Sequence, residues 1–176
     1  QQFLKGSKAF SKDLMKKYNI PTAGYENFDS PEEAMKYLET SKYPIVLKAD
    51  GLALGKGVLI CNTKEEAMDG VKELMLDKKF GNAGNTIVIE EFMTGREVSV
   101  LSFVDGKTIK IMTSAQDHKR AKDGDQGLNT GGMGTFSPSP FIQKKLMNFA
   151  RSMFTRQQLM PWQQKEESLR ELFSLA

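Results

Sequence analysis

The sequence has one cysteine, one histidine and one tryptophan among its 176 residues. Because Cys61 has no partner, an internal disulfide is excluded, and no paired spacing of cysteine or histidine ligands indicates a zinc site. No apolar run approaches the length of a transmembrane helix, and the first residues lack the apolar core of a signal peptide. These absences predict a cytoplasmic protein with no membrane partner. An initiator Met is also missing, which predicts a piece of a longer protein.

The excess of positive charge is small. Lys and Arg number 25 against 22 Asp and Glu, which gives a net charge of +3 and a pI near 8.9. A dedicated nucleic-acid-binding domain carries a stronger and more clustered charge, so no nucleic-acid partner is predicted. A basic site for a phosphorylated metabolite accounts for the excess equally well. The length suits one domain with an adequate core.

Three helices are predicted from apolar periodicity and capping residues. The first spans 7–18. The second begins at the N-cap Ser30, with Glu33 completing a capping box, and the third begins at the N-cap Thr63. Their apolar faces are Phe10, Leu14 and Tyr18; Ala34, Tyr37 and Leu38; and Ala67, Val71, Leu74 and Met75.

Five strands are predicted between and after these helices, so the fold class is α+β. Asp105 and Gly106 are typical of a two-residue hairpin turn between the last two strands. The strands are predicted at 44–49, 58–61, 86–91, 97–104 and 108–112.

The stretch from Ala115 to Gly134 is the most informative part of the sequence. Its first half holds the charged cluster Asp117-His118-Lys119-Arg120, and its second half holds Asn129-Thr130-Gly131-Gly132-Met133-Gly134. Glycines allow backbone N–H groups to approach an anion closely. The two segments together predict a site for a phosphorylated substrate. The alternative is a solvated basic loop followed by a flexible turn.

A second candidate site is the glycine-rich segment 47–58, in which Lys48 lies on a strand and Gly51, Gly55, Lys56 and Gly57 follow. A P-loop needs four residues between its glycines, Ser or Thr after its lysine, and a helix behind it, and none of these is present. The segment instead predicts a β-hairpin loop that covers the phosphates of a nucleotide. An ordinary glycine-rich hairpin is the alternative.

A third candidate site lies where an apolar strand ends in Glu90 and Glu91, followed by Phe92 and Met93. A carboxylate here can accept a hydrogen bond from an adenine amino group or a ribose hydroxyl. The backbone of 92–93 can read the edge of the base, and the two apolar side chains can wall it. A strand that simply ends in exposed acids is the alternative.

In this order and spacing, the segments resemble the ATP-grasp superfamily and, within it, the glycinamide ribonucleotide synthetase family. The resemblance covers residues 1–148, which predicts a partial ATP-grasp domain from a truncated enzyme. The lysine and acidic motifs are shared by the superfamily, whereas the last two motifs are specific to this family. The matching segments are 6–12, 20–23, 48–53, 55–58, 90–92, 95–99, 116–120 and 129–134.

The resemblance implies ATP-dependent ligation of glycine to 5-phosphoribosylamine through a glycyl phosphate, a step of de novo purine synthesis. It implies that Lys8 and Lys48 hold the ATP phosphates, under the loop 51–57. Residues implied to hold adenine and ribose are Glu90, Glu91, Phe92, Met93 and Glu97. Residues implied to act on or bind glycine and 5-phosphoribosylamine are Asp117, His118, Lys119, Asn129, Thr130, Gly131, Gly132 and Met133.

The sequence also departs from the family pattern. Leu128 stands where the family usually has Pro, and Leu54 stands where it usually has Ala. The magnesium ligands are expected in a C-terminal part beyond this chain, so the fragment itself is expected to bind ATP without turnover. The alternatives are another ATP-grasp carboxylate–amine ligase, a non-catalytic ATP-binding module, and a nucleic-acid binder whose affinity falls steeply with salt.

Residues 149–176 are predicted to be a divergent tail. The family has a helix with Ala-Met-x-Ala-Glu-Gly here. Back-translation of residues 160–167, read two bases later, permits Ala-Met-Ala-Ala-Glu-Gly-Arg. The hypothesis is that the tail is an out-of-frame translation that ended the chain early and was not selected to pack. A genuine amphipathic helix with Leu159, Leu169 and Leu172 as its apolar residues is the alternative.

Sequencing the coding DNA tests this hypothesis. An insertion or deletion near codon 150, relative to related genes, is expected. Codons that stay in frame with those of the relatives would rule out the frameshift.

Overall fold

The computed structural model describes residues 6–51, 57–104, 108–124, 126–142, 144 and 147–152. The chain divides into two compact units, Gln1–Thr94 and Gly95–Ala176. The predicted site residues Gly55 and Lys56, the turn at 105–106 and the tail from 153 onward lie outside the described residues. Among the helices that are described, none has the length and apolar character needed to cross a membrane.

The first unit is a four-stranded sheet with helices. The strands lie in the order β1-β4-β2-β3, and every neighbouring pair is antiparallel. The predicted strands at 44–49, 58–61 and 86–91 are confirmed within a residue. In chain order the elements are α1 (Lys8–Lys17), β1 (Tyr25–Phe28), α2 (Pro31–Leu38), β2 (Ile45–Ala49), β3 (Val58–Cys61), α3 (Lys64–Val71), a π-helical turn (Lys72–Leu76), a 3-10 turn (Gly81–Gly84) and β4 (Ile87–Glu91).

The core of this unit lies between one face of the sheet and the helices α2 and α3. Alternate residues of a strand point to opposite faces, so Ile45, Leu47 and Ala49 share the core face. Ile87 and Ile89 join them from β4. The predicted helix residues Ala34, Leu38, Ala67, Val71, Leu74 and Met75 pack against these strands and are all buried.

The predicted helix caps are confirmed, with one difference in detail. Ser30 accepts a hydrogen bond from the Glu33 amide at 3.2 Å, and Thr63 accepts one from the Glu66 amide at 3.2 Å. The Ser30 hydroxyl donates to the Glu32 carboxylate at 2.7 Å. The second bond of the predicted capping box, from the Ser30 amide to the Glu33 carboxylate, is not among the hydrogen bonds of the described residues.

The first helix buries a different face from the one that its apolar residues predict. Ser11 and Lys12 are its buried residues, whereas Phe10 is 47% exposed. The helix lies over a sheet face that carries a buried carboxylate, so a cation is buried here in preference to an aromatic ring. Tyr37 of α2 was predicted to face inward and is also largely exposed, although its ring contacts Phe28.

Gly84 sits where no side chain fits. A Cβ atom built on it would lie 1.9 Å from the carbonyl oxygen of Leu74, far inside van der Waals contact. The 3-10 turn therefore packs directly on the backbone of the π-helical turn.

We expect Gly84→Ala to lower the free energy of unfolding by about 3 kcal/mol, because backbone atoms must move apart to admit the methyl group. Gly6→Ala is the matched control, since nothing lies within 4 Å of its added Cβ. Chemical denaturation followed by circular dichroism measures both. Equal stability of the two variants would contradict this packing.

The second unit consists of two antiparallel hairpins. β5 (Ser102–Val104) pairs with β6 (Ile109–Ile111), and β7 (Gln116–Lys122) pairs with β8 (Gln126–Phe136). Val104 lies opposite Ile109, and the predicted turn at 105–106 lies outside the described residues. The predicted strand 97–104 is shorter than expected, and Ser99 instead forms an isolated bridge with Ala115.

Candidate functional site

The sheet face opposite the core carries the predicted nucleotide residues. Strand register places Lys48 between Val58 and Val88 and places Val46 between Ile60 and Glu90. Directly opposed residues of antiparallel strands point to the same face, so these side chains form one surface.

Only half of this face is covered by α1. Lys12 and Lys16 lie over the ring of Tyr25 on β1, at 5.6 Å and 5.7 Å from its centroid. The part formed by β3 is open, since Val58 is 40% and Ile60 is 49% exposed, whereas Val46 of β2 is buried. This open part is an apolar strip with Lys48 at its edge, which suits the flat face of a nucleobase.

Glu90 is the charged centre of this face. Its carboxylate is buried, and one oxygen, Oε2, contacts the ammonium groups of Lys48 at 3.0 Å and Lys12 at 3.1 Å. Lys12 also donates to the Thr22 hydroxyl at 2.7 Å. A buried carboxylate needs such partners, because an unpaired charge is costly to remove from water.

Lys8 lies at the start of α1 and contacts the chain where β2 leads into the glycine-rich loop. Its ammonium group donates to the carbonyl oxygens of Ala49 at 2.7 Å and Gly51 at 3.0 Å, and the Asp50 carbonyl lies at 3.4 Å. These three acceptors match the three donors of an ammonium group. To bind a phosphate, Lys8 must exchange at least one carbonyl for a phosphate oxygen.

Asp50 holds the helix in place beside this loop. Its Oδ1 accepts hydrogen bonds from the Ala9 amide at 2.6 Å and the Ser7 hydroxyl at 3.1 Å. A carboxylate at a helix N-terminus is favourable because free N–H groups and the positive end of the helix dipole meet there. This contact fixes Lys8, the first residue of α1.

The charge of Lys48 acts on the other two ammonium groups. Burial lowers the pKa of Lys8, the carboxylate of Asp50 opposes this, and the charge of Lys48 lowers the pKa further. Burial also lowers the pKa of Lys12, which Glu90 opposes and Lys48 again reinforces. That Lys8 and Lys48 hold the same phosphates remains a prediction.

The acids and apolar residues that end β4 have different environments. Glu90 Oε1 is buried and has no hydrogen-bond partner among the described residues, so a ligand reaches it only if the side chain moves. Glu91 is exposed, and its carboxylate accepts from the Gly24 amide at 3.0 Å. Phe92 and Met93 are 37% and 67% exposed.

The backbone beyond Glu91 is available to a ligand for a simple reason. Glu91 is the last residue of β4 and lies opposite Ile45. The following residue, Phe92, would therefore face Pro44, which has no N–H to donate. In the described part of the chain, Phe92 and Met93 make no backbone hydrogen bond. Their N–H and C=O groups can therefore pair with the edge of a base.

The glycine-rich segment joins the antiparallel strands β2 and β3, and its residues 52–56 lie outside the described ones. Lys48 pairs with Val58, and the Ala49 amide donates to the Gly57 carbonyl at 2.8 Å. A strand and not a helix follows the segment, as predicted. Gly51 packs tightly, because an added Cβ would lie 2.7 Å from that of Ala83.

An open concavity of about 440 Å³ lies beside this loop. The described residues that line it include no cation, and neither Lys48 nor Glu90 is among them. A triphosphate needs positive charge, so the open sheet face suits it better than this concavity. The lining residues are Gly6, Asp50, Gly51, Phe80, Asn82, Ala83 and Thr86.

In the second unit, the two family-specific motifs face each other across the β7–β8 hairpin. His118 pairs with Gly134, whereas Arg120 pairs with Asn129. One residue of β7, Lys119, therefore lies opposite four residues of β8, Thr130–Met133. This large bulge supports the predicted glycine-rich nest and places it beside the charged cluster.

Side chains and glycine geometry stabilise the bulge. The Arg120 guanidinium donates to the Gly127 carbonyl at 2.9 Å, and the Thr130 hydroxyl accepts from the Gly132 amide at 3.1 Å. Gly132 has φ +118°, a conformation that side chains disfavour. The ring of His118 packs on Phe136 at 5.4 Å between centroids.

The remaining predicted residues are placed as follows. Asp117 is half-buried and pairs with Thr135, and His118 and Met133 are exposed. Glu97 belongs to the second unit and is exposed on a non-strand segment before β5.

Sequence reasoning did not single out Lys12, Asp50 or the strip formed by Val58 and Ile60. The strip could have been found from strand alternation, since both residues share the face of Lys48. Asp50 and Lys12 lie inside segments that match the family, 48–53 and 6–12, but neither had a predicted role. A helical lysine is usually solvated, so its residue type did not indicate burial.

The fold and these sites define an ATP-grasp protein. The phosphoribosylglycinamide synthetase ATP-grasp (A) domain model matches residues 6–171, and the chain belongs to that family. The predicted fold class and family are thereby confirmed.

Three relatives illustrate the similarity. A bifunctional purine biosynthetic protein of Dictyostelium discoideum is 55% identical over 139 residues, covering 79% of this chain and 17% of the relative. A phosphoribosylamine–glycine ligase of Streptococcus pyogenes is 50% identical over 153 residues, covering 87% and 36%. The crystal structure of phosphoribosylamine–glycine ligase from Thermotoga maritima has a TM-score of 0.82 at 38% identity, covering 94% and 41%. The chain thus spans well under half the length of each.

We expect Gly132→Ala to loosen the bulge, because its φ is strained for any residue with a side chain; the local stability should fall by about 1–2 kcal/mol. Gly134→Ala is the control, since its Cβ meets nothing within 4 Å. Amide hydrogen exchange of β7 and β8 measures both. Unchanged exchange in Gly132→Ala would contradict the described bulge.

Proposed function

We propose that this chain supplies the ATP-binding and substrate-binding parts of a ligase that joins glycine to 5-phosphoribosylamine in de novo purine synthesis. The observation that carries the proposal is the pair of ammonium groups, of Lys12 and Lys48, that contact Glu90 beside an open apolar strip of the sheet. Membership of the phosphoribosylglycinamide synthetase family supports the choice of substrates.

The first unit is suited to the nucleotide. Lys48 is the partly exposed cation of the group, with a side chain 28% exposed, and it neutralises phosphate charge. Lys8 adds a second cation when it exchanges a carbonyl for a phosphate oxygen. The base lies on Val58 and Ile60, and its edge pairs with the backbone of 92–93. Glu90, buried under Lys48, holds that lysine in place.

The second unit is suited to the other two substrates. Lys119 lies on β7 opposite the bulge 130–133, and Asp117 and His118 precede it on the same strand. The predicted nest in the bulge favours the phosphate of 5-phosphoribosylamine, and the charged cluster positions glycine. His118 acts in positioning, because the attacking amine needs little help from a base.

The reaction has two steps. A glycine carboxylate oxygen attacks the γ-phosphorus of ATP, the bond to the β-phosphate oxygen breaks, and ADP leaves. The amine of 5-phosphoribosylamine then attacks the glycyl carbonyl carbon, the C–O bond to phosphate breaks, and the amine loses a proton. Positioning and charge neutralisation are the main contributions that phosphoryl transfer requires of a protein.

Magnesium is implied by this chemistry. Among the described residues, no group of three or more Asp, Glu, His or Cys side chains is placed to hold a metal ion. No step is therefore assigned to a metal held by these residues. The cytoplasmic location remains a prediction from the sequence.

A second candidate is nucleotide binding without turnover. The chain spans 36% of the Streptococcus pyogenes relative, so the remaining reaction machinery of such an enzyme need not be present in it. Binding and turnover measured on the same sample separate the two candidates.

We expect isothermal titration to show ATP binding with a dissociation constant of about 0.1 mM, little changed by magnesium. Lys48→Met should weaken binding at least tenfold, because a phosphate partner is lost. Lys36→Met, an exposed lysine of α2, is the control and should change it less than about twofold.

Two outcomes would contradict the proposal. If ATP does not bind, or if Lys48→Met binds as well as the unaltered chain, the nucleotide site is wrong. Tight binding that depends on magnesium would instead contradict the expectation that no metal ligands are present. Formation of glycinamide ribonucleotide by the chain alone would exclude the binding-only candidate.

A further inference from the structure

We propose that Lys12 is a positioning residue that compensates the charge of Glu90, so that the charge of Lys48 stays available for the phosphates of a nucleotide. This inference rests on the proposed nucleotide site. It assigns a function to a buried cation that has no role in the proposed reaction.

The geometry of Lys12 is that of a built-in counter-ion. Its residue is 8% exposed on the face of α1 that meets the sheet. Its ammonium group lies 3.1 Å from Glu90 Oε2, the same oxygen that Lys48 contacts at 3.0 Å. The Thr22 hydroxyl, at 2.7 Å, and the ring of Tyr25 complete its surroundings.

The charges explain why this arrangement matters. Two ammonium groups share one carboxylate, so the set of Lys12, Lys48 and Glu90 keeps one net positive charge. Without Lys12, Lys48 and Glu90 would form a neutral pair, and the attraction for a polyphosphate would fall. Asp50 does not replace Glu90 as a partner of Lys48, since its Oδ1 is bonded to Ser7 and Ala9.

A purely mechanical role for Lys12, in fastening α1 to the sheet, makes different predictions. Loss of a mechanical contact would weaken the binding of all nucleotides alike. Removal of the Glu90 carboxylate as well would weaken binding further. Charge compensation predicts that the loss grows with the number of phosphates. It also predicts that neutralising Glu90 restores binding, because the net charge returns to its original value.

The experiment is titration of ATP, ADP and AMP into the 176-residue chain and its variants. Lys12→Met should weaken the binding of ATP about tenfold and that of AMP only about twofold. Tenfold is the scale expected for one unit charge at an effective dielectric constant near 20 with partial screening. The double variant Lys12→Met/Glu90→Gln should recover ATP affinity to within about threefold, because an amide oxygen can still accept a hydrogen bond from Lys48 and hold it in place. Lys12→Arg should retain the affinity.

Lys16→Met is the matched control. Lys16 lies one turn further along α1 over the same ring of Tyr25, but it is exposed. The Lys16→Met variant should change ATP affinity less than about twofold. Thermal unfolding of every variant shows whether the fold is kept. If Lys12→Met alone fails to fold, the comparison between the unaltered chain and the double variant decides.

The outcomes are distinct from failure of the nucleotide site itself. If the unaltered chain does not bind ATP, the site and this inference are both overturned. If it binds and Lys12→Met does not differ from it, only the inference is overturned. The inference would also be overturned if Lys12→Met lost equal affinity for ATP and AMP, or if the double variant bound ATP more weakly than Lys12→Met does.

Discussion

One buried carboxylate connects α1, the sheet and Lys48 in the first unit. Glu90 is reached by Lys12 from α1 and by Lys48 from β2, at one oxygen atom. A charge in this position must keep its partners, because each unpaired ion inside a protein costs several kcal/mol. The strand that carries Glu90 lies between two others, so the carboxylate is held rigidly. The placement of α1 and the direction of Lys48 both depend on it.

The second unit achieves the same kind of convergence through strand pairing. Two motifs that are separated along the chain become neighbours because β7 and β8 run antiparallel. The extra residues Thr130–Met133 cannot be paired one to one, so they bulge opposite Lys119. Backbone geometry, with Gly132 at positive φ, then sets the shape of the bulge.

Much of the local structure could be predicted from the sequence, whereas the choice of buried face could not. Ser30 and Thr63 cap helices as expected, because a cap depends on residues three positions apart. The predicted inward face of α1 is wrong, since Phe10 is exposed and Lys12 is buried. Periodicity assumes an apolar partner, and here the partner is Glu90, which is distant in sequence.

The sequence by itself determined the α+β class, the main strands and the family, because these depend on local propensity and on motifs that keep their order along the chain. The tertiary structure decided which charges meet. Glu90 contacts Lys48, which is 42 positions away in the sequence, and Lys12, which is 78 positions away. The bulge opposite Lys119 depends on strand register. Such contacts arise only when packing brings strands and helices together, and no pattern of neighbouring residues specifies them.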